Sequence, residues 1–579
     1  MLRSAEATPS LTFQSRSWIP LRDLAVYTEA MSHVDAPPAV QHFRQALLWP
    51  LRLMPTEAAQ ARHHGPWQVL RDMGDKSPWQ EVVDEYTGDA SRFHERHYNE
   101  FVSFLPYVQR FLYGEGRARG TAGNDGDSPM RVFRRNDIAA VRLAARPGDA
   151  PVTLQVVHTD LYFFFDIDVV MLNVEVGADN LSLAQAEELL YRFGRAYPAG
   201  WDANGAALHC MSSVEWLAAD GSVLSRSDAQ QREAFLSHVA EHRAPRIAAH
   251  WAYVMQPLVS DHSDEPGALR FRQIEYYRMP TMAYLSLDDP KQLSRNDFIR
   301  LGLVTGAGES DATLPYAERH LADFEQKYCY DRFWVDAGAA PYTRYICNGH
   351  ALVVVGNAHS EFFCCRDRGV LAQFRHQHFL LFLIAHFQKA SLLMFSDQLV
   401  EALKQMNIHS TPSVKRFKRS IRGNFERFLR FTHRYWFHEI SEQAQVRALS
   451  RLCATHLGLD PLYDEVRVRI ADMNTYLDAD SLRRQANTVV RLTVVTLFGL
   501  IGTVTTGFLG MNLLAEAESP LLTKLLWFGV VFIATTWLTI YTMVKSQRLS
   551  DFIDALSNDR LTLRGKLAAL VRVWKPGSD

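Results

Sequence analysis

Two uncharged segments near the C-terminal end constrain this chain more than any other feature. The first runs from Leu492 to Leu514 and the second begins at Leu525. A helix needs about 20 apolar residues to cross the hydrocarbon core of a bilayer, and both segments are long enough. Only a short acidic stretch lies between them. The sequence therefore predicts a transmembrane hairpin, with spans at 489–514 and 521–545 joined by an outer loop at 515–520.

Charged residues at the ends of the two segments predict how the hairpin is oriented. Arg483, Arg484 and Arg491 precede the first segment, and Lys545 and Arg548 follow the second. Cytoplasmic ends of membrane helices carry an excess of Lys and Arg. We therefore expect a multi-pass protein of a bacterial-type inner (plasma) membrane, with both termini in the cytoplasm and a large cytoplasmic body before the hairpin.

The first segment ends in a recognisable tripeptide, Gly510-Met511-Asn512. A Gly-Met-Asn sequence at the end of the first of two closely spaced C-terminal spans, before a short acidic loop, resembles the CorA family of divalent-cation channels. The resemblance is best over 460–544. Leu509 stands where the family usually has an aromatic residue, and the chain is much longer than a typical member. The resemblance implies a homopentamer that transports Mg²⁺, with the tripeptide as the selectivity filter.

The chemistry of Mg²⁺ fits such a filter. Mg²⁺ releases its water shell reluctantly, and a ring of Asn512 amide oxygens can accept hydrogen bonds from that shell without removing it. Gly510 lets backbones approach closely, and Met511 is expected to pack between helices. Glu516 and Glu518 are predicted to concentrate cations at the outer mouth, although they also suit a solvated loop.

Small and hydroxyl residues recur at spacings of three and four along the first span. This stripe consists of Thr496, Gly499, Thr503, Thr506 and Gly510. Residues at such spacings share one face of a helix. We interpret the stripe as pore lining that leads to the filter, with close helix packing in the membrane as the alternative. Because Thr503 would lie about 180° from Asn512 on a straight helix, we expect the helix to unwind near its end.

The segment before the first span predicts a stalk. No Pro or Gly occurs from Leu462 to Phe498, and Val466, Ile470, Met473 and Leu477 follow a 4-3-4 spacing. This spacing is typical of a coiled-coil seam, so it predicts the contact between subunits. A helix that continued to Asn512 would have about 50 residues and a length of roughly 75 Å.

Acidic residues of the stalk are candidates for regulation. In the CorA family, metal sites between cytoplasmic subunits close the pore, and the resemblance implies such a role for Asp472, Asp478 and Asp480. The alternative is that these carboxylates are solvated. Apart from Mg²⁺ or another divalent cation, as transported and regulatory ion, we expect no cofactor. The expected partners are copies of the chain, membrane lipid and divalent cations.

The residues before the stalk predict an α+β protein, in which a large mixed α/β cytoplasmic domain leads through long helices into the hairpin. The pattern from Val40 to Tyr113 is interpreted as helical, with loops at 50–55 and 63–66, and 114–128 as a linker. Strands are predicted at 152–158, 169–176, 271–277, 282–287, 344–347 and 351–355. The predicted regions are 1–130 (helical), 131–368 (α/β), 369–460 (helical), 461–488 (stalk), the hairpin, and 546–579 (cytoplasmic tail). The tail is expected to pack on the stalk or lie at the membrane surface.

Three local patterns outside the hairpin leave alternatives open. His94 and His97 suit either metal ligands or ordinary surface and core histidines. Asp166 and Asp168 flank Ile167, so they suit either a hard-cation site or plain strand and turn positions. The basic, aromatic segment 415–434 is either an amphipathic helix with a solvated basic face or a site for phosphates or anionic lipid.

Composition excludes some classes of protein. The net charge of −2 and pI near 6.9 argue against a nucleic-acid-binding protein, and the scattered cysteines make no zinc-ligand spacing. No nucleotide-binding or nucleophile motif occurs, so an enzyme is not expected. Two alternatives to a Mg²⁺ channel remain: a Zn²⁺ or Co²⁺ transporter of the same family, and a membrane-anchored scaffold that transports nothing.

Overall fold

The structure is a computed structural model. It describes residues 38–54, 65–82, 95–114, 129–275, 278–309, 312–404, 406, 411–515, 520–523, 525–527, 529–531, 533–538 and 541. The chain divides into two compact units, Met1–Gln398 with Arg427–Asp464, and Leu399–Glu426 with Glu465–Asp579. The residues outside this description include 115–128 of the predicted linker, His94, Glu516, Glu518 and the tail at 546–579.

The first unit is built on a fourteen-stranded sheet. Its strands are β1 (Ala39–Met54), β2 (Trp79–Glu81), β3 (Met130–Arg135), β4 (Ala140–Ala144), β5 (Val152–Phe164), β6 (Ile167–Ser182), β9 (Ser213–Leu217), β10 (Val223–Arg226), β11 (Leu258–Ser260), β12 (Leu269–Gln273), β13 (Thr281–Leu287), β14 (Cys329–Phe333), β15 (Thr343–Cys347) and β16 (Ala351–Asn357). The main path runs β10-β9-β4-β5-β6-β1-β13-β16-β15-β14, and β7 (Gly200–Trp201) with β8 (Ala207–Leu208) forms a separate ribbon. The α+β class is thus confirmed at this coarse level.

Strand β1 corrects the prediction that the N-terminal region is helical. It lies in the middle of the sheet, antiparallel to β6 on one side and to β13 and then β12 on the other. Its sequence, rich in Ala, Leu, Gln and Arg, favours helix, but pairing on both edges overrides that weak preference. The α/β domain predicted to begin at 131 therefore includes residues from 39 onward.

Pro50 lies inside β1, where a loop was predicted. It pairs with Met171 of β6, whereas on the other edge β13 pairs only as far as Leu47 and β12 begins at Leu51. Proline has no N–H to donate to a sheet. The residue therefore occupies the gap between two partner strands, where no donor is needed.

Helices make up much of the rest of the described chain, including its C-terminal part. They are α1 (Pro66–Met73), α2 (Glu95–Ser103), α3 (Pro106–Tyr113), α4 (Leu183–Arg192), α5 (Arg232–His242), α6 (Ala249–Met255), α7 (Arg295–Leu303), α8 (Glu318–Leu321), α9 (Phe324–Tyr328), α10 (Glu361–Cys364), α11 (Val370–Gln373), a π-helical turn (Phe374–His378), α12 (Phe379–Lys404), α13 (Thr411–Arg434), α14 (Ala444–Leu457) and α15 (Leu459–Ala515). A further apolar helix, α16, spans Leu521–Leu538.

Most of the predicted strands agree with strands of the structure. Strands at 152–158, 169–176, 282–287, 344–347 and 351–355 are confirmed within β5, β6, β13, β15 and β16, and the strand predicted at 271–277 ends at Gln273. Helix α4, after β6, is capped by Ser182, whose hydroxyl accepts from the Gln185 N–H at 3.2 Å in a capping box. Asn180, two residues before this cap, has a φ of 59°.

The most apolar run outside the hairpin, 379–385, belongs to the buried helix α12. Phe382 and Leu383 are fully buried, and Leu381 is 1% exposed. The helical stretch Val370–Lys404 is long and apolar enough to cross a membrane, but 72% of its apolar window is buried in the protein. Its apolar surface is therefore satisfied by the sheet and helices around it.

Candidate functional site

Helix α15 contains most of the predicted site residues. It runs without interruption for 57 residues from Leu459 to Ala515, which confirms the predicted continuity of stalk and first span. It carries Asp472, Asp478 and Asp480 in its first half and the Gly510-Met511-Asn512 tripeptide near its end. The side chains of Asp480 and of the tripeptide lie outside the described residues.

One face of α15 is exposed along most of its length. Many positions of α15 are exposed, and one set of them on this face is spaced alternately by four and three residues: Val468, Asp472, Thr475, Ala479, Leu482, Ala486, Val489, Thr493, Thr496, Leu500, Thr503 and Gly507. Leu482 is 65% exposed, Val489 62% and Leu500 63%. With the exception of Asp472, every member of this exposed stripe is apolar, small or hydroxyl-bearing. A strict 4-3 repeat is the signature of a left-handed coiled seam.

The seam that the sequence predicted lies on the opposite face. Val466 is fully buried and Ile470 is 2% exposed, while Met473 and Leu477 are half-buried. At 100° per residue these positions lie about 140–200° from Val468. The first two are already buried within a single chain, so the exposed stripe is an alternative surface for the contact between subunits, and the contact through Val466–Leu477 stays a prediction.

The threonines of the exposed stripe satisfy their hydroxyl donors within the helix. Thr503 Oγ1 donates to the Gly499 carbonyl and Thr496 Oγ1 to the Thr493 carbonyl, both at 2.9 Å. Thr506 is half-buried and donates to the Gly502 carbonyl at 2.9 Å. Such bonds are the usual way for threonine to sit in a helix without an outside partner. The hydroxyl lone pairs remain free to accept hydrogen bonds.

Glycine positions separate the two faces of α15 near its end. A Cβ added at Gly502 would lie 4.0 Å from Thr535 Cγ2 of α16, whereas one added at Gly499 or Gly507 would meet nothing within 4 Å. Gly502 therefore faces the second apolar helix, and Gly499 and Gly507 face open space. A Cβ added at Gly529 of α16 would also meet nothing within 4 Å.

The tripeptide lies within the helix rather than in an unwound end. The backbone is helical through Gly510, Met511 and Asn512 to Ala515, so the predicted unwinding is wrong. Asn512 follows Thr503 by nine residues, which places it about 180° away on a straight helix. The stripe and Asn512 therefore do not share a face, and the expectation that the stripe leads into Asn512 is wrong for this helix.

The candidate metal-binding carboxylates are not brought into one site. Asp472 and Asp478 are exposed, on different faces of α15. Among the described residues, Glu241, His242 and Asp264 are the group of potential ligands whose atoms come within 4.8 Å of one another. They belong to α5 and a loop, and two of the three are exposed. The regulatory site stays a prediction.

Helix α16 is strongly apolar, and none of its described residues is buried. Leu521, Leu522 and Ile533 are 76%, 77% and 68% exposed, and Trp537 is 65% exposed. A helix that is apolar all round needs an apolar environment. α16 and Val370–Lys404 are the two described helices long and apolar enough to cross a membrane. The first predicted span, 489–514, is the last part of α15, and several of its side chains lie outside the description.

The basic segment is an amphipathic helix, as one of the two alternatives predicted. Phe417, Ile421 and Phe428 of α13 are buried, with exposures of 4%, 1% and 5%. The basic face divides into two parts. Lys415 and Arg416, near its start, are exposed, whereas the last turns form ion pairs with the sheet.

Those ion pairs involve the two aspartates considered as a cation site. Arg427 Nη1 lies 2.6 Å from Asp168 Oδ2, while Arg430 Nη1 and Arg434 Nη1 lie 3.0 and 3.3 Å from the two oxygens of Asp166. The carboxylates are thus turn and strand residues that already have cationic partners, so the hard-cation alternative is not supported. We call these five residues (Asp166, Asp168, Arg427, Arg430 and Arg434) the clamp, because they fasten α13 to the β5–β6 turn.

Removal of the clamp carboxylates is expected to cost a small, salt-dependent amount of stability. Partly exposed ion pairs contribute about 0.2–1 kcal/mol each, and salt screens them. Asp166→Asn combined with Asp168→Asn should therefore lower the thermal midpoint of the full chain by a few degrees at low ionic strength, and by less in 0.5 M NaCl. Asp336→Asn, in an exposed loop, is the matched control. A loss of stability that does not change with salt would contradict the clamp.

Comparisons with known proteins found no match: no family model, no curated protein and no solved structure matches the chain.

Proposed function

We propose that the protein is an oligomeric channel or transporter for divalent metal cations, most consistent with Mg²⁺, embedded in the inner membrane by its C-terminal hairpin. The observation that carries the proposal is the exposed stripe of α15. It runs from Val468 to Gly507 in one unbroken helix, so one register serves both the stalk and the first span. A helix with such a stripe buries it by meeting copies of itself.

Several copies are required because two helices enclose no space for a hydrated ion. Closed rings of identical subunits are the usual solution, and the CorA resemblance implies five. The opposite face of the stalk, with Val466 and Ile470, is already buried. A ring in which each α15 turns its exposed stripe inward leaves that buried face undisturbed.

The side chains of the stripe suit a hydrated cation. Thr496 and Thr503 each give their hydroxyl proton to a backbone carbonyl of the same helix. Their oxygens therefore act toward the axis only as acceptors, which is what the protons of a Mg²⁺ water shell require. Gly507 leaves room for the shell, and Glu516 and Glu518 would attract cations to the outer mouth.

The role of Asn512 is a separate proposal. The Gly-Met-Asn resemblance favours it as the selectivity element, although the continuous helix turns it away from the stripe. A filter at Asn512 would require the last turn of α15 to change when copies assemble. The path and the filter are therefore tested with different variants.

A flux measurement on the purified full chain in liposomes tests the proposal. Mg²⁺, Zn²⁺ and Co²⁺ would be supplied outside, and an indicator inside would report entry. We expect Mg²⁺ entry well above that of empty liposomes. Absence of flux for all three ions, from particles of ring size, would reject transport and favour the membrane-anchored scaffold.

Asn512→Ala is expected to lower that flux by at least tenfold without changing particle mass. The reason is that a methyl group cannot accept a hydrogen bond from the water shell. Asn474→Ala, a half-buried position in the stalk, is the control. Full flux through a correctly assembled Asn512→Ala protein would reject the filter while leaving the channel in place.

A further inference from the structure

A polar cavity lies beside the π-helical turn of the first unit, far in sequence from the hairpin. Its volume is about 250 Å³. Its walls come from α2, from the segment 367–377 and from the start of α14, and include Asn99, Glu100, Asp367, Gln373, His376 and Gln443. π-Helical turns are rare and occur frequently at functional sites. This one, Phe374–His378, contributes directly to the wall.

The π-helical turn presents consecutive side chains to two different buried carboxylates. Arg375 Nε donates to Glu175 Oε1 at 2.8 Å, toward the sheet. His376 Nδ1 lies 2.9 Å from Glu100 Oε2, toward the cavity. Glu100 is only 7% exposed, and its other oxygen accepts a hydrogen bond from the Tyr113 hydroxyl. The cavity therefore contains a carboxylate held in place from two sides.

The amides of the cavity are oriented by one serine. The Ser103 hydroxyl donates its single proton to the Asn99 carbonyl at 2.6 Å. Its oxygen accepts from Gln377 Nε2 at 2.8 Å and from Gln443 Nε2 at 3.1 Å. A hydroxyl has one donor and two acceptor sites, so Ser103 is saturated in this arrangement. Both amides must turn their NH₂ groups to Ser103, which leaves their oxygens as acceptors.

The cavity is consequently rich in acceptors. Two carboxylate residues, Glu100 and Asp367, line it together with Gln377 and Gln443. A ligand that adds to the hydrogen bonds of these groups would bring N–H donors and positive charge.

We propose that this cavity binds a small molecule that carries a protonated primary amine, with the ammonium group on Glu100 and the two glutamine oxygens. An ammonium has three donors and no acceptor, and Glu100, Gln377 and Gln443 all line this cavity. Its positive charge offsets the buried carboxylate. This inference does not depend on the proposed transport function, since every residue involved belongs to the first unit.

Calorimetric titration of the full chain, in detergent and without divalent cations, tests the proposal. The probes are 1,4-diaminobutane, free lysine, and glycine betaine, a quaternary ammonium compound with no N–H donor. We expect binding of at least one of the first two and none of betaine. Absence of heat with all three probes at millimolar concentration overturns the inference.

Variants then locate the site. Glu100→Gln keeps the shape but removes the charge, and is expected to weaken amine binding at least tenfold. Asp367→Asn, at the exposed rim, serves if the buried variant does not fold, and is expected to weaken binding about threefold to tenfold. Glu241→Gln, on the exposed face of α5, is the matched control and should bind as the parent chain does. Unchanged affinity in both cavity variants overturns the inference.

Discussion

Leu482→Glu is expected to dissociate the oligomer. Leu482 belongs to the exposed stripe of α15 and is 65% exposed in a single chain, so an inward-facing ring would bury it once in every copy. Burial of one leucine side chain contributes about 2 kcal/mol, and the substitution removes that from each subunit. It also places a carboxylate from every copy around one axis, where like charges repel. The losses accumulate over the ring.

The mass of the detergent-solubilised particle measures this effect. Thr488→Glu introduces the same charge six residues later, at an exposed position on the far side of the helix, about 130° from the centre of the stripe. It should leave the assembly intact. Full-size particles from Leu482→Glu, or monomers from the unmodified chain under gentle conditions, would show that the exposed stripe is not the subunit contact.

The two faces of α15 show why spacing in the sequence could predict the stalk but not which of its faces a single chain already buries. Two apolar faces run along α15, one with Val466 and Ile470 and one with Val468, Leu482 and Val489. Both have the spacing of a coiled seam, and sequence spacing does not reveal which face the same chain already covers. The two faces differ in how far they extend along the helix, because only the face of Val468 continues in register to Thr496 and Thr503.

The rest of the fold was predictable where local pattern and tertiary contacts agree. The β15–β16 hairpin is an example, because Asn348-Gly349 marks its turn and Gly349 has a φ of 91° there. Strand β1 is the opposite case. It pairs over most of its length on both edges, and contacts with residues more than a hundred positions away decide its conformation. No pattern within 39–54 carries that information.

The clamp and the polar cavity beside the π-helical turn depend on the same kind of distant contact. Asp166 and Arg430 are separated by 264 positions, and Gln443 and Ser103 by 340. Each residue alone has the features of an ordinary polar side chain. The sequence did mark the region of the clamp, through a pair of carboxylates and a basic helix, but it did not join them.

Thr503→Cys is expected to make the cation path sensitive to a small, cationic, water-soluble thiol reagent. Thr503 is exposed on the stripe, and in the proposed ring it faces water rather than lipid. Reaction would fix one positive charge per subunit beside the path. Two unit charges 4 Å apart interact with about 4 kcal/mol at an effective dielectric constant near 20, and Mg²⁺ carries twice the unit charge. Flux should therefore fall by more than tenfold.

Gly502→Cys is the matched control, one residue away on the same helix. A Cβ at Gly502 would lie 4.0 Å from Thr535 Cγ2 of α16, so its thiol should pack between the helices and react slowly, and flux should persist. Excess Mg²⁺ should slow the reaction at position 503 alone, because ion and reagent share the path. If both thiols react equally, or if neither reacts in protein that conducts, the stripe lines no water-filled path, and Thr503 instead faces lipid or a neighbouring helix.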